Sequence, residues 1–599
     1  MASRNESTLR SDQPAREFSQ EQIRQQLARI SGSAIFAGSE RMKRFLRLVV
    51  EYSLNGHGSE LKEYLIGVEV FDRNASFDPR ADPIVRVEAR RLRSKLKSYY
   101  DSVGQQDELL IEFPKGAYAP EFRRRGSLDS LTTESVDIKP NSIAILPFRN
   151  LGPEPDNEYF SDGLSEELIH LLTRVPGLQV VAWHSSAQLK NAQEDLARVR
   201  QQLNVETVLC GSVRRAGEQL RITAQLVATR DGRYLWSEVY ERRLHDLFAI
   251  EEEIAQAIVN TLQASLRLAR PSRAAVRSTS DTESHNAYLL GRFHSNRRTA
   301  EGLRKSIDCF ERSIALHPEN AQAYSGLADS YCLLAEYAVM DPAESVPRAN
   351  EAARRALELD PLLAEAYASL AFIRTCHDWE WREAERLFRR AIELNPGYAT
   401  AHHWYAVDHL AMLGRMEQAF EELEISLQLD PLSAIALEGK GYLFLLSRRY
   451  DEAVECHREL LELDPFFHRA FSSIGRALAQ QGKYTEALEM FEKTRSLAGT
   501  TPNLLGAMGQ TYAWAGMESR ARGILGELSE LARHTFVPAT SLALVHAGLG
   551  ENEAALAYLE KGAERRDLNL TPLKMHPAYD SIRPEPRFQA LLRQIGLIR

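Results

Sequence analysis

The residues best suited to chemistry in this sequence are cations repeated along one predicted helix. Arg86, Arg90, Arg93 and Lys97 recur at i, i+4, i+7 and i+11, the spacing of one helical face. A guanidinium offers a planar fork that suits guanine edges, whereas a lysine ammonium is a point charge. Lys115 lies beyond the helix, at the tip of a predicted hairpin. The alternative is a solvated helix face whose arginines pair with nearby acids, namely Glu63, Glu69 or Glu88.

An apolar stripe and two strand runs are predicted to position these cations. The stripe repeats at i, i+4, i+7, i+11 and i+14 and consists of Val85, Ala89, Leu92, Leu96 and Tyr99. The runs LLIEF and AYAPEF flank Pro114, Lys115 and Gly116. Two earlier helices are predicted, one capped by Ser19 and one by Ser39. Helices followed by a hairpin with a basic tip are the plan of a winged helix.

This segment is similar to the DNA-binding domain of OmpR-type regulators. VRVEARRLRSKL matches the family's helix pattern, and PKGAY matches the hairpin more loosely, because one glycine is absent. The resemblance implies that the helix near 84–101 enters a major groove. Arg86, Arg90 and Arg93 would then face base edges or phosphates, and Lys97 and Lys115 would contact backbone phosphates.

The C-terminal half contains a repeat. Tetrapeptides of the form L-x-P-x end successive helices, and their prolines are 43, 35, 35 and 34 residues apart, at Pro318, Pro361, Pro396, Pro431 and Pro465. The tetratricopeptide (TPR) period is 34 residues. Large and small residues recur four apart in the first helices, as in Tyr367 and Ala371 or Phe471 and Gly475. The spacing predicts about eight helical hairpins, whose groove would bind a protein or peptide.

A block between these two regions alternates strand and helix patterns. SIAILPF and LQVVAW read as buried strands, and residues 163–174 read as an amphipathic helix. The stretches GSVRRAGEQLRITAQLV and DGRYLWSEVYERRLHDLFAIEEEIAQAIV resemble the FlgO-like, or TolB-amino-terminal-like, α/β module. That resemblance implies a non-catalytic module of the kind that precedes TPR arrays in bacterial regulatory proteins.

Charge and cysteine content favour a cytoplasmic protein with a basic head. The net charge is −9, yet residues 21–125 hold 19 Lys/Arg against 15 Asp/Glu. This balance fits a nucleic-acid-binding head, or arises by chance. The five cysteines form no CxxC pair, no apolar run is long enough to span a membrane, and the N-terminus lacks a signal sequence.

No catalytic motif is present in the sequence. Phosphate-binding loops, G-x-G-x-x-G, H-E-x-x-H and G-x-S-x-G are absent, so no enzyme activity, cofactor or metal site is predicted. Trp379 and Trp381 are interpreted as packing residues, with ligand stacking as the minority alternative. His402 and His403 diverge by about 100° on a helix and cannot chelate one metal.

The predicted fold class is multidomain: a winged-helix-like α+β head, a small α/β module and an all-α TPR solenoid. The predicted ranges are a disordered arm (1–18), the head (19–122), a linker (123–141), the α/β module (142–268), the TPR array (281–570) and a C-terminal capping segment (571–599). The predicted function is a non-catalytic cytoplasmic regulator that binds DNA and a protein partner. The alternative is a TPR scaffold that does not bind DNA.

Overall fold

The computed structural model describes residues 18–36, 39–55, 61–71, 84–100, 103–104, 107–113, 118–124, 141–152, 158–175, 177–190, 193, 195–216, 219–243, 247–266 and 282–598. The predicted arm and linker therefore lie almost wholly outside the described residues. The chain forms two compact units, residues 1–137 and 138–599.

The first unit consists of four helices and a two-stranded sheet. Its elements are α1 (Gln20–Gly32), a 3-10 turn (Ala34–Phe36), α2 (Glu40–Leu54), α3 (Glu63–Phe71), α4 (Ile84–Tyr100), β1 (Leu109–Glu112) and β2 (Glu121–Arg124). Phe45 of α2 packs edge-on against Phe71 of α3 and Phe113 after β1, each at 5.6 Å between ring centroids. These three rings join helices and hairpin in one apolar core.

Both predicted helix caps can be compared with the structure. Ser19 caps α1 in a capping box with Gln22, whose backbone N–H donates to the Ser19 hydroxyl at 3.3 Å. Ser39 was predicted to cap α2, and this is wrong, since its side chain accepts no bond from that helix. Its hydroxyl instead accepts a hydrogen bond from Lys95 Nζ at 2.6 Å, which ties the start of α2 to α4.

The hairpin is antiparallel, with Leu109 opposite Arg124 and Glu112 opposite Glu121. Its second strand begins at Glu121, four residues later than the predicted run AYAPEF. Proline has no N–H for the ladder, so a strand that starts after Pro120 avoids an unpaired position. The tip, with Lys115, lies outside the described residues.

The second unit begins with a mixed sheet flanked by helices. The strands are β3 (Ser142–Ile145), β4 (Arg149–Asn150), β5 (Gln179–Val180), β6 (Thr207–Ala216), β7 (Gln219–Ala228) and β8 (Tyr234–Arg243), and the helices are α5 (Glu158–Thr173), α6 (Trp183–Gln188), α7 (Leu196–Leu203) and α8 (Leu247–Leu266). The strand order is β5-β3-β6-β7-β8, with β4 beside β6. β3 runs parallel to β5 and β6, whereas β6, β7 and β8 form an antiparallel meander.

One predicted strand of this block is much shorter in the structure. LQVVAW was read as a buried strand over 178–183, but only Gln179–Val180 pair with β3, and α6 begins at Trp183. The reason is tertiary, because Ala182 N–H donates to Leu429 O of the repeat array at 2.8 Å instead of continuing the sheet.

Eight helical hairpins follow between residues 282 and 564. Their helices are α9 (Thr282–Ser295), α10 (Ala300–Leu316), α11 (Ala321–Glu336), α12 (Pro342–Leu359), α13 (Ala364–Ile373), α14 (Trp381–Leu394), α15 (Ala399–Trp404), α16 (Met416–Leu429), α17 (Ala434–Leu446), α18 (Tyr450–Leu463), α19 (His468–Gln480), α20 (Tyr484–Ala498), α21 (Pro502–Trp514), α22 (Glu518–Leu531), α23 (Ala539–Gly548) and α24 (Asn552–Glu564). α13 and α15 continue as π-helical segments, Arg374–Asp378 and Tyr405–Leu410.

Small residues in the hairpins are explained by close helix approach. A Cβ atom on Gly441 would lie 2.1 Å from His457 Cε1, and one on Gly475 would lie 2.7 Å from Phe491 Cε1. Ala384, which occupies the recurring small position of a second helix, is fully buried. The predicted rule that small residues let paired helices touch is therefore observed.

A C-terminal segment of irregular structure follows the last hairpin. It contains 3-10 turns at Leu568–Lys574 and Pro577–Tyr579, and α25 at Pro586–Gln594. Its buried apolar residues belong to the same core as the hairpins. Among the described residues, no helix is both long and apolar enough to cross a membrane.

Candidate functional site

Helix α4 buries its whole predicted apolar stripe. Val85, Ala89, Leu92, Leu96 and Tyr99 are each at most 3% exposed. Since successive residues of a helix differ by about 100°, the helix places positions 86, 90, 93 and 97 on the stripe immediately beside the buried one.

Of the five cations predicted to contact DNA, the structure describes the side chain of Arg93. The side chains of Arg86, Arg90 and Lys97, and the whole of Lys115, lie outside the described residues. Arg93 is half-buried, its Nε donates to Phe113 O at 3.0 Å, and its guanidinium lies 5.4 Å from the centroid of the Phe113 ring. Arg93 therefore joins α4 to the end of β1.

Two neighbouring cations that the prediction left outside the stripe have other partners. Arg91 is exposed and forms an ion pair with Glu88 at 2.6 Å, as the solvated-face alternative expects. Lys95 donates to Ile35 O at 2.7 Å and lies 5.5 Å from the Phe36 ring centroid. Lys95 is therefore a residue of the helix packing.

Two adjacent tyrosines at the end of α4 fix the approach to the hairpin. Tyr99 donates its hydroxyl hydrogen to Asp107 Oδ2 at 2.7 Å, and Tyr100 accepts from the Ile111 N–H at 2.7 Å. Gln26 of α1 donates to the same Asp107 oxygen at 2.6 Å. The sequence analysis missed this network, although consecutive tyrosines at a helix end followed by a short acidic loop were its visible signal.

The hairpin is also connected to α3. The Tyr118 hydroxyl donates to Glu63 Oε1 at 2.9 Å. Glu63 was one of the acids considered as a partner for the arginine stripe, and the structure shows it bonded to this tyrosine. The hairpin is thus held to α4 through Arg93 and Tyr100 and to α3 through Glu63.

Cations and acids of the repeat array meet along its first helices. Arg469 of α19 forms an ion pair with Glu438 of α17 at 3.4 Å, and its guanidinium lies 5.2 Å from the ring centroid of Tyr337, four hairpins earlier. Burial, together with the nearby charges of Arg298 and Arg469, lowers the pKa of His403 to about 3. The second and sixth hairpins therefore approach each other across the inner face.

The C-terminal segment occupies part of the array near the turns of the third hairpin. Trp381 donates its indole N–H to Ile595 O at 2.8 Å, and the Arg566 guanidinium lies 4.2 Å from the ring centroid of Trp379. Both tryptophans were interpreted as packing residues within a hairpin. The structure shows that they pack against this segment, which the sequence analysis did not anticipate.

The α/β domain, residues 141–266, contacts the opposite turns of the array. Ser185 N–H donates to Asp430 Oδ1 at 2.8 Å, and Leu432 N–H donates to Ser185 Oγ at 2.8 Å. The Leu432 side chain is buried in the core formed by β3, β6 and α7. On α5, His170 lies 3.3 Å from Glu365, and Glu166 forms an ion pair with Arg292.

Family comparisons agree with this division of the second unit. The helical hairpins match the tetratricopeptide repeat over residues 380–434, 413–466 and 439–499. Residues 139–259 match the second domain of HilA/YgeH-like transcriptional regulators. The α/β domain is therefore HilA-like, and its description as a FlgO- or TolB-like module is not confirmed.

Curated relatives match parts of the chain. HilA of Salmonella typhimurium, a transcriptional regulator, is 23% identical over 53% of this chain and 56% of its own length. A putative adenylate cyclase of Rhizobium meliloti is 35% identical over 31% of this chain and 32% of its own length. The chain thus spans from about a third to about half of the length of these relatives.

A solved structure, Pseudomonas aeruginosa PilF, is similar over 38% of this chain and 96% of its own chain, with 20% identity and a TM-score of 0.27.

Proposed function

We propose that this protein is a cytoplasmic, non-catalytic transcriptional regulator that binds DNA through its first unit and a partner protein through its TPR array. The observation that carries the proposal is the geometry of α4, which buries its apolar stripe and carries four cations on the next one. The match of the α/β domain to HilA-like regulators supports the same function.

The first unit is proposed to act as a winged helix. In this proposal α4 lies in a major groove, with Arg86 and Arg90 on base edges or phosphates and Lys97 on phosphates. The hairpin is the wing, and Lys115 at its tip contacts the backbone of the duplex. Arg93 is proposed to have a structural role and a DNA-binding role. It donates to Phe113 O of the hairpin, and it lies on the same stripe as the other cations.

Salt-dependent binding of the full-length protein to duplex DNA tests the proposal. Each phosphate contact that is lost reduces the slope of log K against log salt by about 0.9. Arg90→Ala is expected to weaken binding about tenfold or more, which corresponds to about 1.4 kcal/mol or more. Arg91→Ala is the matched control, because it removes the same charge from the neighbouring position that pairs with Glu88.

The two variants distinguish DNA binding by one stripe of α4 from DNA binding by overall positive charge. Equal losses in Arg90→Ala and Arg91→Ala would show binding by net charge and would contradict the proposed helix orientation. If the wild-type protein shows no salt-sensitive DNA binding, the DNA-binding proposal is wrong and the TPR scaffold alternative is favoured.

The TPR array is proposed to bind a protein or peptide partner. Arrays of this kind present extended surfaces built by successive first helices. Since the contact of Arg469 with Tyr337 crosses the inner face, the partner is proposed to bind beside that contact, along the partly exposed first helices of hairpins five to seven. Loss of partner capture on mutation of partly exposed residues of α19 and α21, with unchanged DNA binding, would support this assignment.

The proposal contains no catalytic step, because the sequence contains none of the catalytic motifs considered above. The relative named as an adenylate cyclase matches this chain over 32% of its own length, and that name describes the relative alone. Purified full-length protein incubated with ATP and a divalent cation should form no cyclic nucleotide, and product formation would contradict the proposal.

A further inference from the structure

The two edge strands of the sheet in the α/β domain differ in length. β5 is two residues long, whereas β8 is ten residues long. In the part of the chain that the structure describes, β8 pairs along one edge with β7 and is the last strand of the sheet. A long outer edge carries a row of backbone N–H and C=O groups, which is a template for another strand.

The side chains of β8 are mostly accessible on both faces. Seven of its ten residues are exposed, and they include the apolar residues Tyr234 and Val239, at 61% and 46%. Tyr240, near the centre, is buried against the core formed with α5 and α8. An uncovered strand with exposed apolar residues favours an interaction surface over a protected edge.

Two of the four charged residues of β8 flank Tyr240 symmetrically. Glu238 precedes it by two residues and Arg242 follows it by two, so all three side chains lie on the same face of the sheet. An antiparallel copy of this strand, with Tyr240 opposite Tyr240, brings Glu238 of each chain opposite Arg242 of the other. Opposite charges that face each other across two strands stabilise the pair.

We propose that β8 pairs antiparallel with β8 of a second copy of this chain, in the register that places Tyr240 on the twofold axis. The interface is isologous, and its two ion pairs between Glu238 and Arg242 are equivalent by symmetry. On the other face, Val239 of each chain lies opposite Glu241 of its copy. The two sheets join into one continuous sheet.

The present contacts of the two charged residues leave them available for such pairing. Glu238 accepts a hydrogen bond from the Tyr240 hydroxyl at 3.2 Å, and Arg242 lies 3.9 Å from Glu253, with both side chains about half exposed. Exposed pairs of this kind contribute little to stability. Exchange of these contacts for pairs across an interface therefore costs little.

Neither neighbouring register gives this complementarity. A shift that centres the pair on Val239 places Glu238 opposite Tyr240 and Arg242 opposite Trp236. A shift that centres it on Glu241 places two like charges opposite each other, which is unfavourable. The charge pattern thus selects a second copy in one register over an arbitrary extended peptide.

Charge reversal of full-length protein tests the proposal by sedimentation velocity over a concentration series. A strand pair buries a small area, so wild-type dimers should form in a concentration-dependent manner. Glu238→Arg alone and Arg242→Glu alone should each shift the protein to monomer, because like charges then face each other twice. An equimolar mixture of the two variants should form heterodimers, and the double variant should dimerise again.

Arg214→Glu is the matched control, because it makes the same charge change on β6, two strands away from the edge. It should dimerise like the wild type. Far-UV circular dichroism and thermal unfolding verify that each variant folds. A wild-type protein that is monomeric at every concentration, dimers that persist in both single variants, or a mixture without heterodimers would overturn the proposal. All measurements are made without DNA, so failure of the proposed DNA binding does not affect them.

Discussion

Ser185 and Asp430 are 245 positions apart in the sequence and form two hydrogen bonds with each other. Both the N–H and the hydroxyl of Ser185 donate to Asp430 Oδ1, and His184 lies 3.3 Å from the other carboxylate oxygen. Burial would by itself raise the pKa of Asp430, but these contacts with His184 and Ser185 hold it below its usual value. One repeat aspartate thus fixes the α/β domain to the array.

Asp430→Ala should destabilise this junction by about 2–3 kcal/mol, since it leaves the buried N–H of Ser185 without an acceptor. Urea unfolding and hydrogen exchange of residues 182–189 measure the loss. Asp464→Ala is the control, because Asp464 also precedes a repeat proline but its carboxylate accepts from Phe466 N–H within its own turn, at 3.0 Å. Comparable losses in both variants would contradict a special role for Asp430.

Asp329 and Glu365 should give opposite dependences of stability on pH. Burial raises the pKa of Asp329 to about 6, while Ser369 and Arg292 oppose the rise. Between about pH 4 and pH 6 the folded state then holds a proton that the unfolded chain has released, so the contribution of Asp329 to stability falls as pH rises. Asp329→Asn should remove this loss and be more stable than the wild type at pH 7.

Glu365 provides the comparison for that prediction. Burial opposes ionisation of Glu365, but His170 lowers its pKa to about 2. Its contribution to stability is present above about pH 4 and is lost as pH falls toward 2. Glu365→Gln should therefore be less stable than the wild type at pH 7. Urea unfolding at pH 5 and pH 8 separates the two variants, and changes of the same sign would refute the assignment.

Gly441→Ala should cost about 1–3 kcal/mol in the free energy of unfolding, because the added methyl group overpacks the contact with His457. Gly526 of α22 has open space where a Cβ atom would lie. Gly526→Ala should stabilise the protein by about 0.5–1 kcal/mol through helix propensity. Thermal unfolding checks both, and a neutral Gly441→Ala would show that α17 and α18 can separate without cost.

Arg93→Ala should destabilise the first unit by about 1–2 kcal/mol, since Phe113 O loses its donor and the ring loses a cation. Arg93→Lys keeps the charge but loses the planar fork, and it should recover part of the DNA affinity with little of the stability. Arg91→Ala should change stability by less than about 0.5 kcal/mol. If Arg93→Ala and Arg91→Ala change the free energy of unfolding equally, the bond from Arg93 to the hairpin does not stabilise the first unit.

Much of the fold was accessible from the sequence. The 34-residue period and the recurring small residues predicted the hairpins, because each repeat must bury the same faces against its neighbours. The i, i+4, i+7 pattern of Val85, Ala89 and Leu92 predicted the buried side of α4. Only the last two residues of the strand run AYAPEF join the ladder, because Pro120 has no N–H to donate.

The helical spacing of the four cations could also be read from the sequence. The hydrogen-bond partner of Arg93 could not. Arg93 and Arg91 are two positions apart, so their side chains leave the helix about 200° apart. Only the packed hairpin shows that Arg93 donates to a strand carbonyl. Hydrogen bonds between elements depend on distances that no local pattern encodes.

The two LDPL tetrapeptides separate what the sequence determined from what tertiary structure decided. The sequence determined that both end a second helix, because proline lacks an N–H and cannot continue the turn. Yet Leu362 is 64% exposed and Leu432 is 8% exposed. The difference arises because the α/β domain packs over the turn that holds Leu432 and leaves Leu362 exposed, and this packing depends on surfaces that only the folded domains present.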